Sequence, residues 1–200
     1  MYKINSSQFN YTYRNRIHFP YSISLLVAHI KTNEALSSKF KFEKTFVFRD
    51  EKKLDQYIEE CRDSDVLLCS CYVWNWEITT YLAKRVKEIN PNCLIVFGGP
   101  QAPLILDDFF KKYPFVDIIV HGEGELILEN LLTEFLGNKD FSKVKGISTN
   151  EFTTEPQDRI KDFDSFPSPY LTNTVWDLVD KVDGFQWIVS WETNRGCPYA

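Results

Sequence analysis

The chain has 200 residues, 44% of them hydrophobic, with 23 Lys and Arg against 28 Asp and Glu for a formal net charge of −5. That composition supports one sizeable core with some chain to spare. It argues against a protein that tracks nucleic-acid phosphates, because counterion release needs a basic patch. No apolar run approaches the roughly 20 residues that span a bilayer, and the opening MYKINSSQFNYTYRNR lacks the apolar middle of a signal peptide. The five cysteines (Cys61, Cys69, Cys71, Cys93, Cys197) are odd in number and three lie in or beside apolar runs, which suits reduced thiols in the cytoplasm.

In chain order, YKINSSQF is expected as a short, poorly formed first strand, and Tyr21–Lys31 as a helix with Ile23, Leu26, Val27 and Ile30 at helical spacing. Phe42–Phe48 reads as a strand and Glu51–Cys61 as an amphipathic helix. Asp65–Ser70 is a buried strand, followed by a helix over Glu77–Ile89 that Asn90-Pro91 ends. Cys93–Gly99 is a strand, LILDDFFKK a helix, Val116–Gly122 a strand, and GELILENLLTEFLG a helix closed by Gly137. Near-continuous apolar strands alternating with helices predict a parallel five-stranded sheet covered on both faces, a doubly wound α/β domain over residues 1–150. KVKGIST adds a possible edge strand. Residues 151–184 read as a Pro- and Asp-bearing linker with a short helix at TVWDLVDKV, and 185–200 as an apolar strand, Phe185–Trp191, that ends in Arg-Gly-Cys-Pro.

Ligands of open α/β sheets sit beyond the carboxyl ends of the strands. Three loops there draw notice: Ser70–Asn75, Gly98–Pro103 and His121–Glu125. Glycine in two of them lets the backbone approach a ligand with no Cβ in the way. Each loop also has a plain structural account. Gly98-Gly99-Pro100 suits a tight turn, Glu123 and Glu125 suit a helix N-terminus, Trp74 and Trp76 suit packing, and His121 suits a satisfied turn. Cys69 and Cys71 are expected on opposite strand faces, not as a chelating pair. There is no G-x-G-x-x-G after the first strand and no P-loop, and Cys69-Ser70 stand where a phosphoacceptor domain needs a carboxylate. A glycine-lined crevice of this kind suits a large, flat cofactor better than a nucleotide.

VFGGPQAP, IIVHGEGELILENLL, DFDSFPSPY and ETNRGCPYA stand in the order found in cobalamin-binding radical S-adenosylmethionine enzymes, and the chain resembles that family over nearly its whole length. The resemblance implies a cobalamin-binding α/β domain whose loops line the cofactor's nucleotide tail. The corresponding residues are Ser70, Cys71 and Tyr72, then Gly98, Gly99 and Pro100, then Gly122, Glu123 and Gly124. Cys197 matches the first cysteine of C-x-x-x-C-x-x-C, whose three thiolates hold a [4Fe–4S] cluster with one iron open for S-adenosylmethionine. The second cysteine would follow Ala200, so the sequence is expected to be a leading piece of a longer protein, cut inside the motif at the first strand of a partial (β/α) barrel.

In a full-length parent, the cluster would cleave S-adenosylmethionine to a 5′-deoxyadenosyl radical. A methyltransferase or a cyclising or rearranging enzyme, acting on a small molecule or a peptide, is implied. This chain alone, with one thiolate, is expected to lack that chemistry and to hold no catalytic residue. Related domains that ligate cobalt through histidine carry D-x-H-x-x-G. None of His18, His29 and His121 has an Asp two residues before it, so cobalt is expected to meet water or a side chain near Asn10–Arg14 or Ser70–Trp74. Two other accounts stay open: a cofactor-free scaffold or docking module of a radical protein, and an unrelated α/β enzyme with Glu123 or Glu125 as a general acid.

Overall fold

The structure is a computed structural model that describes residues 1–180, 182–193 and 195. Strand β1 (Tyr2–Asn10) leads through a turn to β2 (Arg16–His18), helix α1 (Tyr21–Thr32), the single turn α2 (Glu34–Ser37) and β3 (Phe40–Phe48). Helix α3 (Leu54–Glu60), β4 (Val66–Ser70), α4 (Trp76–Ile89), β5 (Leu94–Gly98), α5 (Phe109–Lys112), β6 (Ile118–Val120) and α6 (Gly124–Leu136) follow in regular alternation. The chain closes with β7 (Ile147–Ser148), α7 (Thr174–Asp177) and β8 (Gln186–Ile188). None of these helices is long and apolar enough to cross a membrane.

The main sheet has six strands in the order β3-β1-β4-β5-β6-β7. The first five are parallel, and β7 joins β6 antiparallel. That is the doubly wound arrangement expected, with the edge strand included. Its order reverses between β1 and β4, and in such sheets the reversal opens a crevice beyond the strand ends. Alternate residues face opposite layers. Leu67, Ile95, Phe97 and Ile119 pack under α3, α4 and α5, while Leu68, Val96 and Ile118 pack under α1 and α6. Cys69 and Cys71, two residues apart, share one face and sit in the same apolar cluster, which corrects the expectation that they point apart.

β1 is a central strand of nine residues, not a short and poorly formed one. It hid from a hydrophobic count because Asn5, Ser6, Ser7, Gln8 and Asn10 are buried. Most of these polar groups tie neighbouring elements together. Ser6 Oγ shares a 2.9 Å hydrogen bond with Thr45 Oγ1, Asn5 Oδ1 accepts from Ser64 Oγ, and Gln8 Oε1 accepts from the Ile23 N–H of α1. Bonds of this kind offset the cost of burying a polar side chain. LILDDFFKK contributes only the four residues of α5, and TVWDLVDKV only the four of α7.

The chain after residue 150 returns to the domain. Arg14 and Asn15, both with positive φ, form a tight turn closed by reciprocal Tyr13–Arg16 backbone bonds of 2.9 Å. The turn presents β2 to β8, which pairs with it in parallel, Ile17 opposite Trp187. The terminal strand is therefore paired along one edge. Phe19 stacks on Trp187 at 4.6 Å, and Ile17, Phe19, Val47, Val175 and Val179 form a third buried cluster.

Candidate functional site

A cleft of about 460 Å³ opens at the carboxyl ends of β4, β5 and β6, between the sheet and helices α1 and α6. Its floor is apolar, made by Leu68, Val96 and Val120 from the strands with Leu25, Leu26 and Leu128 from the helices. The rim is built from three loops, and each holds its shape for a different reason.

Beyond β4, Asn75 is fully buried and clamps its own loop. Its Oδ1 accepts from the Tyr72 N–H at 2.8 Å, and its amide donates to the carbonyls of Ser70 and Phe9 at 2.9 and 3.2 Å. The clamp brings Ser70 and Tyr72 to the cleft. The Tyr72 ring stacks on Trp74 at 4.5 Å, and its hydroxyl meets Ser22 Oγ of α1 at 2.8 Å. Cys71 is the exception among the expected rim residues. Its side chain is wholly buried away from the cleft, and only its backbone takes part in the loop. Burial pushes its thiol well above the ordinary cysteine range and that of Cys69 up to about 12, so neither is poised as a nucleophile.

Beyond β5, the Cys71 N–H donates to the Gly98 carbonyl at 2.7 Å and the Gln101 N–H donates to the Cys71 carbonyl at 3.1 Å. Gly99 has φ +98°, and a Cβ there would lie 2.8 Å from the Cys71 carbonyl oxygen. The glycine therefore serves the contact between two loops of the protein. Beyond β6, Gly122 has φ +80° and nothing within 4 Å of where its Cβ would be, so its bare Cα faces open space in the cleft. Glu123 Oε2 accepts from the Ile160 N–H at 2.7 Å and ties the linker to the start of α6, while Gly124 packs against Leu26.

Glu125, in the first turn of α6, is only 3% exposed. Its Oε1 receives a 2.8 Å hydrogen bond from Arg195 Nη2, and its Oε2 has no partner among the described residues. Arg195 also donates to Glu192 and lies 4.5 Å from the centre of the Phe163 ring. Desolvation opposes its charge, but the Glu192 and Glu125 carboxylates outweigh that and hold its pKa above the usual arginine value. Ser190, Trp191, Glu192 and Arg195 thus close one side of the cleft.

The cleft gathers Ser70, Tyr72, Gly98, Gly99, Pro100, Gly122, Glu123 and Gly124, all from the strand-end loops singled out in the sequence. Sequence reasoning missed the first turns of α1 and the 190–195 segment. Pro20 marked the start of α1, but nothing in the pattern placed that start beside β4. Cys197 lies outside the described residues, and no group of three or more metal-ligating side chains occurs among those described. None of the three histidines lines the cleft: His18 bonds to Ser190 of its wall, His29 to Glu129 and His121 to Ser148.

The B12 binding domain family model matches residues 36–132, from α2 to α6. Together with the relatives below, that decides the family. The chain belongs to the cobalamin-binding radical S-adenosylmethionine enzymes. It is 41% identical over 145 residues to the 2-(S-pantetheinyl)-carbapenam-3-carboxylate methyltransferase of Streptantibioticus cattleyicolor, a match covering 69% of this chain and 21% of that protein. It is 36% identical over 189 residues to the cobalamin-dependent radical SAM methyltransferase TokK of Streptomyces tokunonensis, covering 90% of this chain and 27% of that one. The chain thus spans about a quarter of the length of these relatives. In fold it is similar to the radical enzyme OxsB with aqua-cobalamin bound, with a TM-score of 0.73 at 17% identity over 100% of this chain and 27% of the other.

The cleft fits a B12 group in two respects. Its volume lies in the range of about 300–1,000 Å³ that suits a ligand or part of one, enough for the cofactor's tail but not for a whole corrinoid. The open space over Gly122 is a cradle that any side chain would fill.

Proposed function

We propose that this chain is the cobalamin-holding part of a radical S-adenosylmethionine methyltransferase that acts in the cytoplasm on a small molecule. The observation that carries the reading is the cleft itself, an apolar slot with a glycine cradle beyond the carboxyl ends of β4, β5 and β6. One of its sides is the segment leading to Cys197. Relatives matched over 69% and 90% of this chain are methyltransferases, at 41% and 36% identity, whereas cyclases match over 61% and 58% at 31% and 28% identity, which favours methyl transfer over cyclisation.

Bound cobalamin supplies a methyl group for transfer. The chain's own residues hold and shield. Leu68, Val96, Val120 and Leu128 desolvate the tail, whose burial is favourable at roughly 25 cal/mol per Å² of apolar surface. Ser70, Tyr72, Gly98, Gly99 and Pro100 bound the rim, with Cys71 contributing through its backbone. Gly122, Glu123 and Gly124 form the cradle, and Arg195 and Glu192 shut the side next to the cysteine motif. Cys197 would be the first cluster ligand in the full-length protein. Four buried thiols, Cys61, Cys69, Cys71 and Cys93, suit a reducing compartment.

The test is direct. The chain is incubated with hydroxocobalamin, desalted and examined by visible spectroscopy. About one equivalent of corrinoid should stay with the protein. A colourless protein that is still folded overturns the reading in favour of a cofactor-free scaffold.

A further inference from the structure

Resting on the reading that the cleft holds the nucleotide tail of cobalamin, we propose that Glu125 selects that tail by accepting a hydrogen bond from one of its hydroxyls through Oε2. The carboxylate is 3% exposed, lines the cleft, and sits in the first turn of a thirteen-residue helix. One oxygen is committed to Arg195 at 2.8 Å, and the other has no donor among the described residues. A buried carboxylate oxygen left without a donor is costly, and native proteins rarely leave one so. No side chain among the described residues supplies the missing hydrogen: the Ser22 and Tyr72 hydroxyls are bonded to each other, and Arg195 donates to Oε1 and to Glu192, not to Oε2. An ionised carboxylate only accepts hydrogen bonds. The group that completes it must therefore be a donor. A ribose hydroxyl meets that need, whereas the tail's phosphate would be repelled and must lie towards the glycine rim.

The arrangement needs two acceptors on one side chain, one for Arg195 and one for the ligand. A glutamine keeps the shape but offers a single acceptor oxygen and two donors. With that oxygen on Arg195, it turns a neutral amide donor towards the hydroxyl, and the charge-assisted bond to a carboxylate is lost.

The experiment titrates the full chain, Glu125→Gln and Glu125→Ala with hydroxocobalamin and with cobinamide, which lacks the nucleotide tail. Quenching of tryptophan fluorescence reports binding, and urea midpoints check that each variant is folded. Hydrogen bonds to charged groups have a strength that predicts a loss of roughly ten- to hundredfold in cobalamin affinity for both variants, with cobinamide affinity unchanged. Folded variants that bind cobalamin like the parent, or that lose both corrinoids equally, overturn the role of Glu125 and leave the cobalamin reading intact. A parent chain that binds no cobalamin overturns both.

Discussion

Replacing Gly99 by alanine separates two kinds of glycine that look alike in the sequence. At φ +98° an L-residue bears a left-handed penalty of about 1–2 kcal/mol. The new methyl would also stand 2.8 Å from the Cys71 carbonyl oxygen and 3.1 Å from its nitrogen, both backbone atoms that cannot swing aside. Relieving that contact stretches the bonds from Cys71 N–H to Gly98 and from Gln101 N–H to Cys71, each worth about 0.5–1.5 kcal/mol. The total is a loss of about 2–5 kcal/mol. Gly122→Ala meets nothing within 4 Å and should lose only the backbone share, about 1–2 kcal/mol. Urea unfolding at constant m-value measures both. Corrinoid affinity should show the reverse pattern, because the Gly122 methyl enters the cleft while the Gly99 methyl strikes protein. If Gly99→Ala costs no more stability than Gly122→Ala, or abolishes binding at unchanged stability, the assignment of Gly99 to loop–loop contact is wrong.

A chain ending at residue 150 should be less stable and more prone to aggregate than the whole, because it strips Val175, Leu178 and Val179, all under 5% exposed, from the layer they cover. Light scattering of the two chains during heating tests this, and equal behaviour would show that the tail contributes nothing. Burial lowers the pKa of His121, so below its ordinary value of about 6.5 the unfolded chain binds a proton that the folded chain resists. That share of stability is present above pH 6.5 and is lost as pH falls. Thermal melts between pH 7.5 and 5 should show the decline, and His121→Gln should flatten it. With the tail and its base held in the cleft and His18, His29 and His121 all off its lining, the Co(II) form of the bound cofactor should lack nitrogen hyperfine splitting. A splitting that disappears on changing one of them to alanine would identify a ligand and contradict this placement.

The alternation of apolar strands and helices from residue 40 to 136 is legible because β4, β5 and β6 are largely buried on both faces and each main helix on one. The rim of the cleft is legible for a related reason. A parallel sheet must send its ligand to the strand ends, and glycines accumulate there. What stayed hidden depends on contacts distant in sequence. The polar residues of β1 mimic a loop until Thr45, Ser64 and Ile23 are seen to meet them. Leu104 and Ile105 look like one face of a helix, yet they are exposed on a segment between Pro103 and the start of α5, where proline withholds a backbone donor. At Gly99 the sequence shows that a glycine is needed but not that the Cys71 backbone crowds it. Arg195 and Glu125 are seventy residues apart, and no local pattern announces that they touch.

The pairing of β2 with β8 joins residues 16–18 to residues 186–188, the longest-range strand contact in the fold. A ribosome makes chain at about 5–20 residues per second and domains assemble from the N-terminus as they emerge. β1 can therefore dock between β3 and β4 while the turn at Arg14-Asn15 and the short β2 still lack their partner. For the several seconds until residue 188 clears the exit, Ile17 and Phe19 have nothing to cover them on that side. The molecule is finished at its beginning last, and a pause in translation between residues 150 and 188 would prolong the interval in which its first hairpin is open to other chains.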